Sequence, residues 1–409
     1  MEVLYPRCCG GDVHKREVVV CALISGSDGM PSKTIRAFGT MTPDILGLAD
    51  WLTAHEVTHI AMESTGVYWK PLWNLLEDQF ELLLVNARHV KAVPGRKTDV
   101  RDCEWLAELL RHGLLTASFV PDRPQRELRE LTRYRTSLVR ERTAEANRLQ
   151  KTLEGANIKL ASVATDILGK SGREILAALV AGETEGAELA QLARGRLREK
   201  LPQLERALVG RVGTHQRFLV AEQVAHIDFL DEAIARVSTE LAERVRPDAD
   251  AIARLDTIPG VGRAVAEALV AEIGVDMGRF PTAKHLASWA GLCPGNHESA
   301  GNRRSGRTRK GSPWLRACLV QAAHAAARTK GTYLAAQYRR LAARRGRAKA
   351  AVAVAHSILI IVYHLLTEGT VYCDLGGNYF DERDCQAVER RLVHRLEALG
   401  YTVSLIPAA

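Results

Sequence analysis

Strand-like and helix-like segments alternate along roughly the first 115 residues and then stop alternating. That switch constrains the fold more than any other property of the chain. "REVVVCALI" and "KTIRAFGTM" read as strands joined by a Gly/Ser/Asp turn. "DILGLADWLTAH" is an amphipathic helix, "VTHIAME" a strand, "YWKPLWNLLED" a helix and "FELLLVNA" a strand. "TDVRDCEWLAELLRHG" closes the unit as a helix, with Thr98 as N-cap and Gly113 as C-cap. The pattern predicts an α/β domain that opens with a hairpin.

From about 124 to 247 the pattern is helical. Leu131, Tyr134, Leu138, Arg142, Ala146, Leu149 and Leu153 step at three and four residues. Val220, Val224, Ile227, Asp231, Ile234, Val237 or Ser238, Leu241 and Val245 do the same. Polar residues interrupt both stripes, which fit long antiparallel helices or a coiled-coil arm. The stretch from about 160 to 205 is rich in Ala, Gly and Glu and carries no sharp pattern. From about 250 a compact helical domain follows. The expected domains are therefore 1–120, 121–250 and 251–409, with the helical middle suggesting a dimer or tetramer.

Between Ser299 and Thr367 there are fourteen Lys and Arg and no Asp or Glu. The whole chain is only +8, so the remainder is net acidic and the basic charge is concentrated. A concentrated basic block points to a polyanion, nucleic acid first. The eight cysteines form no CxxC pair and no zinc spacing with His, and read as reduced thiols in a cytoplasmic, nucleoid-associated protein. No secretory leader is visible at the N-terminus. "AVAVAHSILIIVYHLL" carries two histidines, is shorter than the roughly 20 residues of a membrane span, and reads as a buried helix, so no membrane partner is expected.

Four carboxylates stand out in the first domain. Asp12 ends the expected first strand and Glu63 ends "THIAME". Asp99 and Asp102 sit at i and i+3 of one helix, about 60° apart around its axis. Each alone is explained by a turn or a helix dipole. Together they are hard oxygen donors of the kind that hold Mg²⁺, or Mn²⁺ as an alternative. The order strand-Asp, hairpin, strand-Glu, helix-Asp-x-x-Asp is the layout of the ribonuclease-H-like (RuvC-like) fold used by polynucleotide-cutting enzymes.

"IPGVG" before "AVAEALVAEIG" reads as a helix-hairpin-helix, in which Gly260 and Gly262 let backbone N–H groups approach a phosphate; the alternative is a ligand-free helix–helix turn. In "ESAGNRRSGRTRKG", Arg303, Arg304, Arg307, Arg309 and Lys310 form an arginine-biased loop suited to phosphate, with Ser305 among them. Spacing alone favours a turn-capping role for Ser299. Ser305 is better placed to bind than to attack, and Ser312 looks like the N-cap of "PWLRACLVQAA".

"GGDVHK", "AMESTGVYW", "GRKTDVRDCEWLAELL", "IPGVGRAVAEALVAEIG", "ESAGNRRSGRTRKGSPWLR" and the tail "DLGGNYF … RRLVHRLEALGYTV" together resemble the DEDD transposases of insertion-sequence family 110. One small departure is Gly11, where that family more often has an apolar residue before the first Asp, and the resemblance is least clear between about 150 and 250. The resemblance implies a RuvC-like N-terminal domain, a coiled-coil connection and a helical C-terminal transposase domain. It implies a metal-binding tetrad of Asp12, Glu63, Asp99 and Asp102, and Ser299 as the catalytic nucleophile on DNA. It also implies donor and target DNA as partners, chosen by a non-coding bridge RNA. Two other functions fit the residues: a metal-only nuclease of the Holliday-junction-resolvase kind, and a nucleic-acid-binding scaffold without catalysis.

Overall fold

A computed structural model describes residues 2–25, 31–63, 66–86, 99–295, 297–299, 302–305 and 307–405, with backbone alone at 99–101, 297–299, 302–305 and 387. The chain divides into two compact units, Met1–Arg123 and Pro124–Ala409.

In the first unit β1 (Arg7–Val13), β2 (Glu17–Ser25) and β3 (Pro31–Gly39) form an antiparallel meander. α1 (Thr42–Ala54) crosses to β4 (His59–Glu63), and α2 (Trp69–Leu76) to β5 (Glu81–Val85). β4 pairs in parallel with β1, and β5 with β4, giving the order β3-β2-β1-β4-β5. α3 (Asp99–Arg111) follows, and Gly113 ends it at φ +66° as expected of its cap; Thr98 lies outside the described residues. Apolar residues on both sides of β1 and β2 bury both faces of the sheet. Ile45, Leu48, Leu52, Leu72 and Leu76 of α1 and α2 cover one face. Cys103, Ala107 and Leu110 of α3 cover the other, against Cys8, Cys21 and Ala61.

The second unit begins with α4 (Arg123–Gly155), which pairs with α5 (Thr214–Arg244). The contacts run in opposite directions along the two helices: Glu127 meets Arg244, Leu138 packs with Ala233, Arg142 grips Asp231 and Glu145 faces His226. The pair is therefore antiparallel and internal to the chain. Arg142 and Asp231, the polar interruptions in the two stripes, are each other's partners. Short helices between 160 and 208 close the far end over Leu149, Leu153, Ile175, Leu179, Leu204 and Val220. No periodicity marks them because each is only about one to three turns long.

The near end is the largest core. α6 (Ala249–Asp256) and α7 (Arg263–Ile273) form the expected helical hairpin. β6 (His297–Ser299) and β7 (Asn302–Ser305) follow, then α8 (Pro313–Arg328), α9 (Tyr333–Arg345) and α10 (Arg347–Glu368). α10 is long and apolar enough to cross a membrane, but Val354, Ala355, Ile358, Leu359 and Val362 lie buried in this core. It is a core helix, as the two histidines in its sequence suggested.

Candidate active site and nucleic-acid elements

The parallel register places Gly11 beside Met62, so Asp12 and Glu63 are the next neighbours at the ends of β1 and β4. By the two-residue period they point to the same face as Gly10 and Ala61, the face that α3 covers. The carbonyl of Arg111 accepts from the N–H groups of Leu4 and Tyr5, at 2.9 and 3.1 Å, just before β1. α3 therefore runs antiparallel to β1. Its N-terminal turn, with Asp99 and Asp102, lies toward the Asp12 end.

Asp12 is mostly buried, and its Oδ2 lies 3.1 Å from Nε2 of His14. Glu63 and Asp102 are half-buried. The side chain of Asp99 lies outside the described residues. Among the described residues no three His, Cys, Asp or Glu side chains are close enough to enclose an ion. The donors nevertheless suit a hard cation in kind. Cys103, next to Asp102, is the soft ligand on hand, but burial pushes its thiol up to about 11, so it stays protonated. Oxygen is left as the anionic donor type at this end of the sheet.

What holds α3 down is Gly10. A Cβ there would stand 2.2 Å from the Cys103 carbonyl oxygen and 2.4 Å from the Ala107 nitrogen. Both are backbone atoms and cannot swing aside. Gly10→Val should therefore push α3 off the sheet, lower the stability of the first unit by about 3 kcal/mol, and carry Asp102 away from Asp12. Thermal unfolding of the full chain measures the loss of stability.

Ser299 lies in the second unit, as the last residue of β6, paired with Asn302 at the end of a two-stranded hairpin. The arginine-rich stretch read as a loop is thus part strand: Arg303, Arg304 and Ser305 belong to β7, with side chains outside the described part. The base of the hairpin is clamped. Pro294 bridges Thr308, and the Gly295 N–H donates to the Arg307 carbonyl at 2.9 Å. Nη1 of Arg316 donates to Thr308 Oγ1 at 2.7 Å. Arg307, Arg309 and Lys310 are exposed beside it. Ser312 is the N-cap of α8, accepting from the Leu315 N–H at 3.2 Å, as read.

The two glycines of the helical hairpin separate in role. Gly260 sits at φ +87°, and a Cβ on it would meet the Ala322 carbonyl oxygen of α8 at 2.3 Å. Its lack of a side chain is thus accounted for by helix packing. Gly262 faces open space at the N-terminus of α7.

A family profile for a DEDD-type IS110 transposase matches residues 9–158, and one described as "Transposase IS116/IS110/IS902 family" matches residues 252–339. The chain belongs to the IS110/IS116/IS902 family of transposases. The probable family 20 transposase of Pseudomonas aeruginosa is 29% identical over 76% of this chain and 85% of its own length. The transposase for insertion sequence element IS1111A of Coxiella burnetii is 28% identical over 71% and 72%. The 43.6 kDa protein of insertion element IS110 from Streptomyces coelicolor is 27% identical over 68% and 73%. The first profile spans all four carboxylates of the transposase and the second spans Gly260, Gly262 and Ser299.

One set of residues in this transposase escaped the sequence. Glu267 and Glu272 of α7 are buried, at 4% and 3% exposure, and arginines of α4 reach them. Arg135 Nη1 donates to Glu267 Oε2 at 2.7 Å. Arg133 grips Glu272 with two donors, at 2.7 and 3.0 Å. Ser312 Oγ also donates to Glu272, at 3.1 Å, tying the exit of the serine hairpin to the same carboxylate. The signal was two acids in the otherwise apolar "AVAEALVAEIG": a carboxylate on a buried face must have a cation.

Proposed function

We propose that this transposase cuts and rejoins DNA through a serine nucleophile on a ribonuclease-H-like scaffold. The observation that carries it is the convergence of Asp12, Glu63 and the Asp102 end of α3 at one end of a β3-β2-β1-β4-β5 sheet. Three antiparallel strands followed by two parallel ones, with the acids at the β1 and β4 ends, are what the ribonuclease-H-like reading requires.

Asp12, Glu63, Asp99 and Asp102 would hold Mg²⁺, or Mn²⁺ in its place. A bound divalent ion supplies Lewis acidity toward a phosphoryl oxygen. Ser299 Oγ attacks a DNA phosphorus. The Oγ–P bond forms, the P–O3′ bond breaks, and the serine proton ends on the departing 3′ oxygen. A 3′-OH of another strand then attacks the phosphoserine, restoring a phosphodiester and the serine hydroxyl. One ester replaces another throughout, so no nucleotide triphosphate is consumed. Arg303, Arg304, Arg307, Arg309, Lys310 and Ser305 receive the phosphate charge, and Gly262 offers a helix N-terminus to the backbone.

These are backbone contacts and carry no sequence. Site choice for donor and target would therefore fall to a bound bridge RNA, whose pairing is recognised through shape and phosphates. The antiparallel α4–α5 pair satisfies its own stripes, so those stripes do not themselves require the dimer or tetramer expected from sequence.

The test is chemical. The purified protein with its co-purifying RNA is mixed with DNA carrying the ends of its own element and Mg²⁺, quenched in denaturant and digested with protease. Mass spectrometry should find a nucleotide on the peptide containing Ser299. An adduct on Ser305, or cleavage with no adduct, would replace the serine assignment.

A further inference from the structure

α4, α7 and the first turns of α8 enclose a cleft of about 200 Å³ beside the serine hairpin's exit. It is smaller than the roughly 300–1,000 Å³ of pockets for drug-sized ligands, and suits a fragment such as one nucleobase. Trp314, half-buried two residues after the Ser312 cap, forms one wall. Arg140 lies over its ring, 5.1 Å from the centroid, and Arg133 lies 6.0 Å away.

The two arginines differ in what they have left to bind. Arg133 is committed to Glu272 through Nε and Nη2. Arg140 is exposed and makes no ion pair among the described residues. Its guanidinium is held against an indole, so its in-plane donors are oriented and unspent. The floor is rigid, because Glu272 is fixed by Arg133 and by Ser312. Gln321, exposed on α8 at the rim, adds an amide that can donate and accept.

An oriented arginine, an aromatic wall, a base-sized volume and an amide form the set that proteins use to take one nucleotide out of a single strand. We propose that this cleft holds one unpaired nucleotide of the DNA strand being exchanged, its base against Trp314 and its phosphate on Arg140. The choice of DNA rests on the serine assignment above: four residues link Thr308, at the base of the Ser299 hairpin, to the Pro313 start of the helix that bears Trp314.

The experiment separates the two assignments. Binding of a fluorescein-labelled, mixed-sequence single-stranded DNA 20-mer to the full-length protein is followed by anisotropy in EDTA, where no cleavage occurs. Trp314→Ala should weaken binding roughly tenfold, and Trp314→Phe, which keeps a ring, should restore most of it. Arg140→Gln should weaken binding and lower the salt slope by about 0.7, the share of one single-strand phosphate. Phe218→Ala, an exposed aromatic on α5, should bind as wild type does. Thermal melts report folding, and Arg140→Gln keeps the test open if Trp314→Ala does not fold. Affinity within twofold of wild type for folded Trp314→Ala, or an unchanged salt slope for Arg140→Gln, overturns the cleft. Losses seen only with an RNA 20-mer overturn the assignment to DNA. The anisotropy assay contains no covalent step, so failure of the nucleophile shows only in the adduct assay.

Discussion

Ser299→Ala should give no covalent protein–DNA adduct and at least roughly a thousandfold less strand transfer. Binding of the same DNA should stay within about twofold. Alanine has no atom that can form an ester to phosphorus, so this loss is absolute in kind, whereas a lost phosphate contact is one of degree. The hairpin context makes the comparison clean. Ser299 ends β6 opposite Asn302, and the clamp at Pro294, Thr308 and Arg316 lies at the other end. Removing one oxygen leaves those contacts in place. Ser305→Ala, on β7, should keep the adduct and lose about 1 kcal/mol of binding. Denaturing gels of labelled DNA read both variants. An adduct persisting in Ser299→Ala moves the nucleophile elsewhere.

Asp102→Asn should abolish cleavage at physiological Mg²⁺, by roughly a hundredfold or more, with the fold and DNA affinity retained. Asparagine keeps the shape and one oxygen but loses the anionic charge that a hard cation selects. Asp102 sits half-buried near the N-terminus of α3, next to Cys103, whose backbone packing against Gly10 the substitution leaves alone. Unfolding therefore does not explain a loss. Two readouts separate ion binding from chemistry: Mg²⁺ titration by calorimetry, and cleavage on the same protein. Full cleavage with unchanged Mg²⁺ affinity would exclude Asp102 from the metal set.

The two units were legible to different depths. In the first, strand and helix boundaries followed from periodicity within a few residues, because a two-face-buried sheet writes near-continuous apolar runs. The alignment of Asp12 with Glu63 was legible only as strand ends; the parallel register that sets them side by side is a long-range fact. Gly10 passed unread, since a glycine in a strand reads as a weakness until the helix above it is known. In the second unit Arg142 and Asp231 looked like interruptions in two stripes. They were one bond, split across about ninety residues. The buried Glu267 and Glu272 were visible as letters, but their arginines lie more than a hundred residues earlier.

The paired helices α4 and α5 have 33 and 31 residues, so each extends about 50 Å at 1.5 Å per residue. One end is fused to the core that carries the serine hairpin; the other ends in the small cluster between 160 and 208. The pair is thus a ruler with a head at each end. Its length is set by two helices in opposite register, which makes the separation adjustable in one way only. Seven residues added to each helix at facing positions would lengthen the span by about 10 Å and leave both heads facing as before. Seven added to one alone would slide every pair from Glu127–Arg244 to Glu145–His226 out of step.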